Sequence, residues 1–182
     1  MGDIAMTDNQ TPILELLASM QSGGVVSKDH ATEAILLLEE DLPWVDLPDG
    51  SQLQLLHVDI NQNLWVVRNR FKPGFCIDTH YHTGPVFAVT QSGEWFYKEY
   101  PDKINKAGSY LFEPAHSLHT LTVAEDAKED AVAWFAVFGS NVNVDENGDV
   151  TSMVDARTIL KVYRALCELK GESCDNVIVI GE

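Results

Sequence analysis

The strongest constraint on the fold is a stretch from Leu42 to about Val150 in which short apolar runs alternate with turn residues. The runs are rich in Val, Thr, Tyr, Phe and Trp, and Pro, Gly, Asn and Asp separate them, which is typical of strands joined by tight turns. The candidate strands are residues 53–58, 64–71, 76–82, 86–90, 94–97, 109–113, 120–123 and 132–138. This pattern predicts an all-β sandwich, barrel or jelly roll. Residues 145–148 are predicted to form a turn between two edge strands.

A helical extension is predicted before the β region. Thr11 followed by Pro12 is typical of a helix start, and the glycines at 23 and 24 are typical of a helix end. Residues 28–41 fit either a second helix or, at 35–38, a short buried strand.

A C-terminal helix is predicted after the β region. Asp155 is a suitable residue to open it and Gly171 is a suitable stop. Its apolar side would consist of Ile159, Leu160, Val162, Tyr163, Leu166 and Leu169. The predicted organisation is an N-terminal extension over 1–41, a β domain over 42–152, and a helix and tail over 153–182 that pack on its outside.

The charge and the cysteines limit the possible partners and the cellular location. With 28 acidic and 12 basic residues the formal net charge is −16, which repels phosphate backbones and anionic headgroups. The three cysteines form no C-x-x-C pair, which fits neither a disulfide framework nor a thiolate zinc site. The N-terminus is acidic where a signal peptide needs positive charge, and no apolar run approaches the ~20 residues that span a bilayer. We therefore expect a cytoplasmic protein that binds neither nucleic acid nor membranes.

Three histidines are placed as metal ligands would be. His80 and His82 lie two residues apart on one predicted strand, so their side chains project from the same face, ~7 Å apart. His119 enters a separate predicted strand after a proline-containing turn and is the best candidate for a third donor. The pattern predicts that these three residues bind one divalent metal ion.

The spacing around these histidines resembles the two sequence motifs of the cupin superfamily. The first motif is matched by Gly74, FCIDT, His80-Tyr81-His82, TGP, Val86, FAVTQS and Gly93. The second is matched by Gly108, SYLFE, Pro114-Ala115-His116, SL and His119. Val86 stands where the superfamily has a glutamate ligand, and His116 replaces the second motif's second glycine. The resemblance implies a cupin double-stranded β-helix, a jelly-roll barrel, with the two predicted extensions.

Longer stretches within residues 42–171 resemble 2,4′-dihydroxyacetophenone dioxygenase and its relatives. They include HYHTG at 80–84, GEWFY at 93–97 and AGSYLFEP at 107–114. Acetylacetone-cleaving dioxygenases and the cupin domain of ChrR-type anti-sigma factors are more distant resemblances. Together they imply a non-haem Fe(II) dioxygenase that uses O2 to cleave a C–C bond in a small hydroxyketone or β-diketone.

The resemblance also bears on metal, assembly and an alternative function. Zn, Ni or Mn could replace iron in the purified protein, and a homodimer is expected of cupins. The apolar run at 35–38 favours exchange of segments across such a dimer. The alternative is a non-enzymatic zinc-binding sensor module of the ChrR type. Residues 1–41 lack the Cys/His clustering of that type's sigma-binding domain, which favours the enzyme.

The missing glutamate at Val86 indicates how such a site would work. Three neutral imidazoles leave the 2+ charge of a ferrous ion uncompensated and up to three octahedral positions open. A β-diketone enolate or a deprotonated α-hydroxyketone would bind such an ion through two oxygens. The predicted enzyme should therefore need no 2-oxoacid co-substrate.

Glu113 is the candidate catalytic residue. It lies six residues before His119, where the dioxygenase-like sequences also carry a glutamate. Three interpretations are open: a fourth metal ligand, a base that orients substrate and water, or a strand-end carboxylate that accepts backbone N–H bonds.

Five further residues are candidates for a substrate pocket. Arg68 or Arg70 could bind a substrate carboxylate or phenolate, although ion pairs with surface carboxylates are the alternative. Trp95 and Tyr97 would suit an aryl ketone and would equally fill a barrel core, and Val86 would lie beside the metal.

Three other residues near the motifs are expected to have ordinary roles. Cys76 is predicted to be a small buried hydrophobe, Asp78 a polar group at the strand mouth, and His116 an exposed turn residue.

Overall fold

The computed structural model describes residues 34–181, which form mostly β-strands. In chain order the strands are β1 Val45–Asp46, β2 Gln52–Asp59, β3 Leu64–Phe71, β4 His80–His82, β5 Val86–Ser92, β6 Glu94–Tyr97, β7 Asn105–Lys106, β8 Tyr110–Glu113, β9 Leu121–Thr122, β10 Ala131–Phe138, β11 Asn141–Val144, β12 Val150–Val154 and β13 Ile178–Ile180. A 3-10 helix covers Glu39–Asp41 and an α-helix, α1, covers Ala156–Lys170.

The largest sheet has the order β1-β2-β3-β10-β5-β8, and β13 joins β2 as a parallel strand. At its centre, β10 pairs with β3 from Ala131 opposite Phe71 to Phe138 opposite Leu64. Every second residue of β10 points inward, as strand geometry requires, and these residues are buried: Ala131, Ala133, Phe135 and Val137. The inner face of this sheet therefore supplies much of the core.

Two three-stranded sheets, β12-β11-β4 and β7-β6-β9, complete the structure. The chain leaves the large sheet at Gly93, between β5 and β6, with φ of 68°. A Cβ atom here would lie 2.4 Å from the carbonyl oxygen of Asp130, so only glycine fits. Residues of all three sheets line one interior cavity, so the sheets enclose a common space.

The predicted C-terminal helix is confirmed. The Asp155 carboxylate accepts a hydrogen bond of 2.7 Å from the backbone N–H of Thr158, and Gly171 ends the helix with φ of 70°. Ile159, Leu160 and Tyr163 are buried as predicted, and the Tyr163 hydroxyl donates to the carbonyl of Pro43. The predicted apolar side was too wide, because Val162 and Leu169 are exposed, whereas Ala156 and Cys167 are buried.

The strand predictions agree best where turn residues flank the strand on both sides. Residues 64–71 and 94–97 agree with β3 and β6 at both ends. The predicted strand 76–82 is wrong in its first half, because only 80–82 form β4. Cys76 instead makes an isolated bridge to Thr122. The predicted turn at 145–148 is confirmed between β11 and β12, with a hydrogen bond from Gly148 N to Asp145 O.

The predicted helix at 11–23 lies outside the described residues, as does the start of the segment 28–41. In the part of that segment that is described, residues 34–38 form neither helix nor strand, and residues 39–41 form the 3-10 helix. Among residues 34–181 we find no helix that combines the length and the apolar character needed to cross a membrane.

Candidate metal centre and its cavity

The paired histidines lie on β4, as the H-x-H spacing predicts. His80 and His82 are buried on one face of this strand, and Tyr81 between them is only half-buried. Their ring centroids are 5.1 Å apart. Strand β4 pairs with β11, which places Asn143 opposite His80 and Asn141 opposite His82.

His119 reaches the pair through a backbone bridge. The His80 N–H donates to the His119 carbonyl and the His119 N–H donates to the His80 carbonyl, both at 3.0 Å. Residues directly opposite in such a bridge project from the same face. Candidate ligand atoms of all three histidines consequently lie within 4.8 Å of one another, and all three residues are buried.

The hydrogen bonds of these rings leave metal-binding atoms free. The Nδ1 atom of His80 lies 2.8 Å from the carbonyl of Asp78, to which it must donate, so its Nε2 atom keeps a lone pair. His82 Nδ1 and His119 Nε2 are buried without any hydrogen-bond partner. A buried polar atom without a partner is costly, and a divalent cation would satisfy His119 Nε2. The cluster therefore fits a metal ion.

Burial keeps the imidazoles neutral. It lowers the pKa of His82 to about 2, helped by repulsion from His80 and His119. It lowers the pKa of His119 to about 3, and that of His80 despite the opposing hydrogen bond to Asp78. Neutral imidazole is the form that binds metals, so the three donors are ready at neutral pH.

Glu113, the last residue of β8, lies against two of these histidines. It is 4% exposed, and its Oε2 atom lies 3.4 Å from His82 Nε2 and 3.3 Å from His119 Nε2. Tyr97 donates a hydrogen bond from its hydroxyl to Glu113 Oε1 and stacks on the His119 ring at 4.3 Å between centroids. Burial raises the pKa of Glu113 to about 7, although the bond from Tyr97 opposes this. Burial also raises the pKa of Tyr97, which stays a hydrogen-bond donor.

A cavity of about 230 Å³ opens beside the cluster. His80, His82, Tyr97 and Glu113 line one part of it. Apolar side chains line much of the rest, among them Leu53, Trp65, Val67, Phe71, Phe135 and Val137. A polar minority also lines it: Asp49, Asn69, Asp78, Asn141 and Asn143. The site can thus hold a small, mainly apolar molecule against the histidines.

The two arginine candidates do not line the cavity. The cavity is lined by Val67, Asn69 and Phe71, and strand alternation puts Arg68 and Arg70 on the other face of β3. Arg68 donates to Gln54 at 2.9 Å and Arg70 donates to Gln52 at 3.0 Å. Both also approach Glu39, and the Arg70 guanidinium lies 4.1 Å from the centre of the Trp44 ring. The structure therefore corrects their placement in the substrate pocket.

Of the remaining pocket candidates only Tyr97 lines the cavity. Val86 and Trp95 are fully buried in the hydrophobic core, where the Trp95 indole N–H donates to the Thr90 hydroxyl at 2.9 Å. Neither lines the cavity, although Trp95 packs against the cavity residues Tyr97 and Phe135, which corrects the expectation that Val86 and Trp95 contact substrate.

Two expectations near the motifs are confirmed and one is wrong. Asp78 lines the cavity, and His116 is an exposed turn residue. His116 has φ of 65°, the left-handed conformation that favours the glycine which it replaces in the motif. Cys76 is exposed rather than buried, because the regular strand starts only at His80.

The amides at 141 and 143 were missed by the sequence argument. Asn141 Nδ2 donates to Asn143 Oδ1 at 2.8 Å, and Asn143 Nδ2 donates to Ser152 at 2.9 Å. The alternation N-V-N-V could have indicated them, because the two valines are buried on one face of β11 and the two asparagines share the other.

The fold and the site together define a cupin-like protein with a histidine metal centre. The chain belongs to the ChrR cupin-like domain family, whose model matches residues 32–139. No curated protein matches the sequence significantly.

Solved structures share this fold. A cupin-like protein of unknown function from Ralstonia eutropha JMP134 is 28% identical with a TM-score of 0.77, over 84% of this chain and 96% of its own. An RmlC-like cupin from the same organism is 23% identical with a TM-score of 0.73, over 81% and 95%. An acetylacetone dioxygenase from Acinetobacter johnsonii is 20% identical with a TM-score of 0.65, over 79% and 99%. The last two likenesses establish the fold alone.

Proposed function

We propose that this protein is a metal-dependent dioxygenase, with Fe(II) as its working metal, that cleaves a carbon–carbon bond in a small hydroxyketone or β-diketone. One observation carries the proposal: three buried, neutral histidines cluster within ligand distance of one another, and two of them, His80 and His82, line a largely apolar cavity. The motif resemblance to dihydroxyacetophenone dioxygenase supports the reaction type. The fold shared with an acetylacetone dioxygenase is consistent with it.

His80, His82 and His119 would hold the ion. When bound, Fe(II) supplies a Lewis acid for ketone oxygens and a centre that reacts with O2. The imidazoles bring no negative charge, so the site favours an anionic ligand such as an enolate. A bound ketone therefore gains affinity when it loses a proton.

The cavity sets the size and character of the substrate. Its volume of about 230 Å³ leaves room for a small ketone. Trp65 and Phe135 give it an apolar wall that excludes water from the reacting carbon. Asn141 and Asn143 lie beside the histidines and can bind a substrate oxygen.

The test is oxygen consumption by protein loaded anaerobically with Fe(II). We expect uptake of O2 with at least one member of a panel of hydroxyacetophenones and β-diketones, two carbonyl fragments as products, and both atoms of labelled O2 in those products. His119→Ala should abolish this uptake. His116→Asn is the matched control, because Asn tolerates a positive φ and His116 lies outside the cluster. Iron-replete protein that consumes no O2 with any compound would reject the proposal.

The second candidate is a zinc-binding sensor module, favoured by the match to the ChrR cupin-like domain. A sensor needs the metal and the cavity without turnover. Protein that retains zinc tightly, binds a small ligand and consumes no O2 in its iron form would support this alternative.

A further inference from the structure

We propose that Glu113 is a fourth metal ligand, acting through Oε2 alone, and that Tyr97 is the positioning residue that holds it in this arrangement. The inference rests on the metal site of the proposed function, but not on oxygen chemistry or on any particular ketone.

Strand pairing brings the carboxylate to the site. Val86 at the start of β5 is directly opposite Glu113 at the end of β8. Opposite residues on antiparallel strands project from the same face, so Glu113 occupies the place beside Val86. The carboxylate that Val86 cannot provide is therefore available from the neighbouring strand.

Two distances are short enough for ligands of one ion. Ligands on a metal with bonds of about 2.0–2.2 Å lie about 2.8–3.1 Å apart at octahedral angles and about 3.3–3.6 Å apart at tetrahedral angles. Glu113 Oε2 lies 3.3 Å from His119 Nε2 and 3.4 Å from His82 Nε2. Neither Glu113 Oε2 nor His119 Nε2 has a hydrogen-bond partner, although both are buried. These atoms face one another without bonding, as atoms do when their lone pairs are directed at a shared cation.

Tyr97 decides which carboxylate oxygen is free. Its hydroxyl bonds to Oε1, which leaves Oε2 as the oxygen that faces the histidines. Its ring also stacks on His119, so one side chain fixes two of the four proposed ligands. With one carboxylate and a divalent ion, the site would keep a charge of about +1 and two octahedral positions for small ligands.

The experiment measures Co(II) binding to the full-length protein by chelator competition and by visible absorption. Glu113→Gln keeps the side-chain shape and should weaken Co(II) binding by about 100-fold, since loss of even an outer hydrogen bond to a ligand costs about 10- to 100-fold. It should also change the visible spectrum of bound Co(II). Tyr97→Phe keeps the stacking and should weaken binding by about 10-fold. In the Glu113→Gln background the same Tyr97 change should add less than about 2-fold, because Tyr97 acts through Glu113.

Tyr81→Phe is the matched control, since Tyr81 lies on β4 between two ligands but on its other face. It should bind Co(II) like the wild type. Glu113→Gln with wild-type affinity, or with reduced affinity and an unchanged spectrum, would overturn the ligand assignment. Independent, multiplicative effects of the two substitutions would overturn the role of Tyr97. Protein that shows the expected metal effects but consumes no O2 would reject the dioxygenase and keep this inference.

Discussion

The two walls of the cavity are built in opposite ways. The metal wall consists of His80, His82 and Glu113, which line the cavity, and of His119, which is bridged to His80; all four are buried and polar. It comes from the three-residue strand β4, the end of β8 and an isolated bridge. The apolar wall consists of Leu53, Trp65, Val67, Phe71, Phe135 and Val137, on the eight-residue strands β2, β3 and β10.

This difference separates stability from binding. The apolar wall removes hydrocarbon from water on long, paired strands, which stabilises the fold. The metal wall buries polar atoms without partners, which costs folding free energy until a cation is bound. Substitutions on the two walls should therefore have distinct consequences.

The largest expected effect is on the metal wall. Replacement of His80, His82 or His119 by Ala should each remove most of the bound metal, because each supplies one of the shared donors. Elemental analysis after gel filtration measures this, with His116→Asn as control. Metal-free forms of the variants should remain folded, since the core residues are unchanged. Full metal occupancy in all three variants would show that the cluster is not the site.

The next effect is on the apolar wall. Phe135→Ala should lower the free energy of unfolding by about 3–5 kcal/mol, because Phe135 is 9% exposed and its loss leaves a cavity. Urea denaturation of the metal-free protein checks this. Tyr110→Ala, on the exposed face of β8, should change stability by less than about 0.5 kcal/mol. A loss of less than about 1 kcal/mol for Phe135→Ala would contradict the stabilising role of this wall.

The third prediction concerns the pH dependence of the metal-free protein. The pKa values of His82 and His119 are lowered to about 2 and about 3, so the stability that these groups contribute is present above pH 6.5 and is lost as the pH falls. Glu113 acts in the opposite sense, because its pKa is raised to about 7 and its contribution is lost as the pH rises. Two histidines minus one glutamate leave a net uptake of one proton on unfolding. The free energy of unfolding should therefore fall by about 1.4 kcal/mol for each unit by which the pH drops from 6.5 to 4.5.

Urea denaturation in EDTA at several pH values measures this slope. Glu113→Gln should make it steeper, and the double variant His82→Gln, His119→Gln should make it shallower. If the wild type and the double variant lose stability in parallel, then the buried histidines do not govern acid sensitivity.

The smallest effect is expected on the reverse of the apolar wall. Arg70→Gln should cost about 1 kcal/mol or less, because it removes an exposed ion pair and the contact with Trp44. It should leave Co(II) affinity and ketone binding unchanged, since the side chain lies on the outer face of β3. A loss of ketone binding at wild-type stability would restore Arg70 to the substrate pocket.

The elements that could be predicted from the sequence are those set by local patterns. Strand alternation placed His80 and His82 on one face, and turn residues bounded β3 at both ends. The cap at Asp155 and the stop at Gly171 located the C-terminal helix. Each of these features depends on residues a few positions apart, whose geometry is nearly independent of the rest of the chain.

Burial and the choice of face could not be predicted in this way. Arg68 lies two residues from the buried Val66 and therefore shares its face of β3. Only the pairing of β3 with β2 and β10 shows that this face points away from the cavity. Trp95 lies in the core rather than on the cavity. The sequence could not distinguish the two places, because both environments favour an aromatic side chain.

The sequence by itself determined the β architecture, the C-terminal helix and the three histidines, since strand period, turn chemistry and H-x-H spacing are local properties. The tertiary structure decided that His119 lies opposite His80 and that Glu113 lies opposite Val86. It also decided that Tyr97 bonds to Glu113 and that Arg68 faces outward. These relations join residues up to 39 positions apart, from His80 to His119, and strand pairing across that distance follows from the packing of the whole sheet rather than from any short pattern.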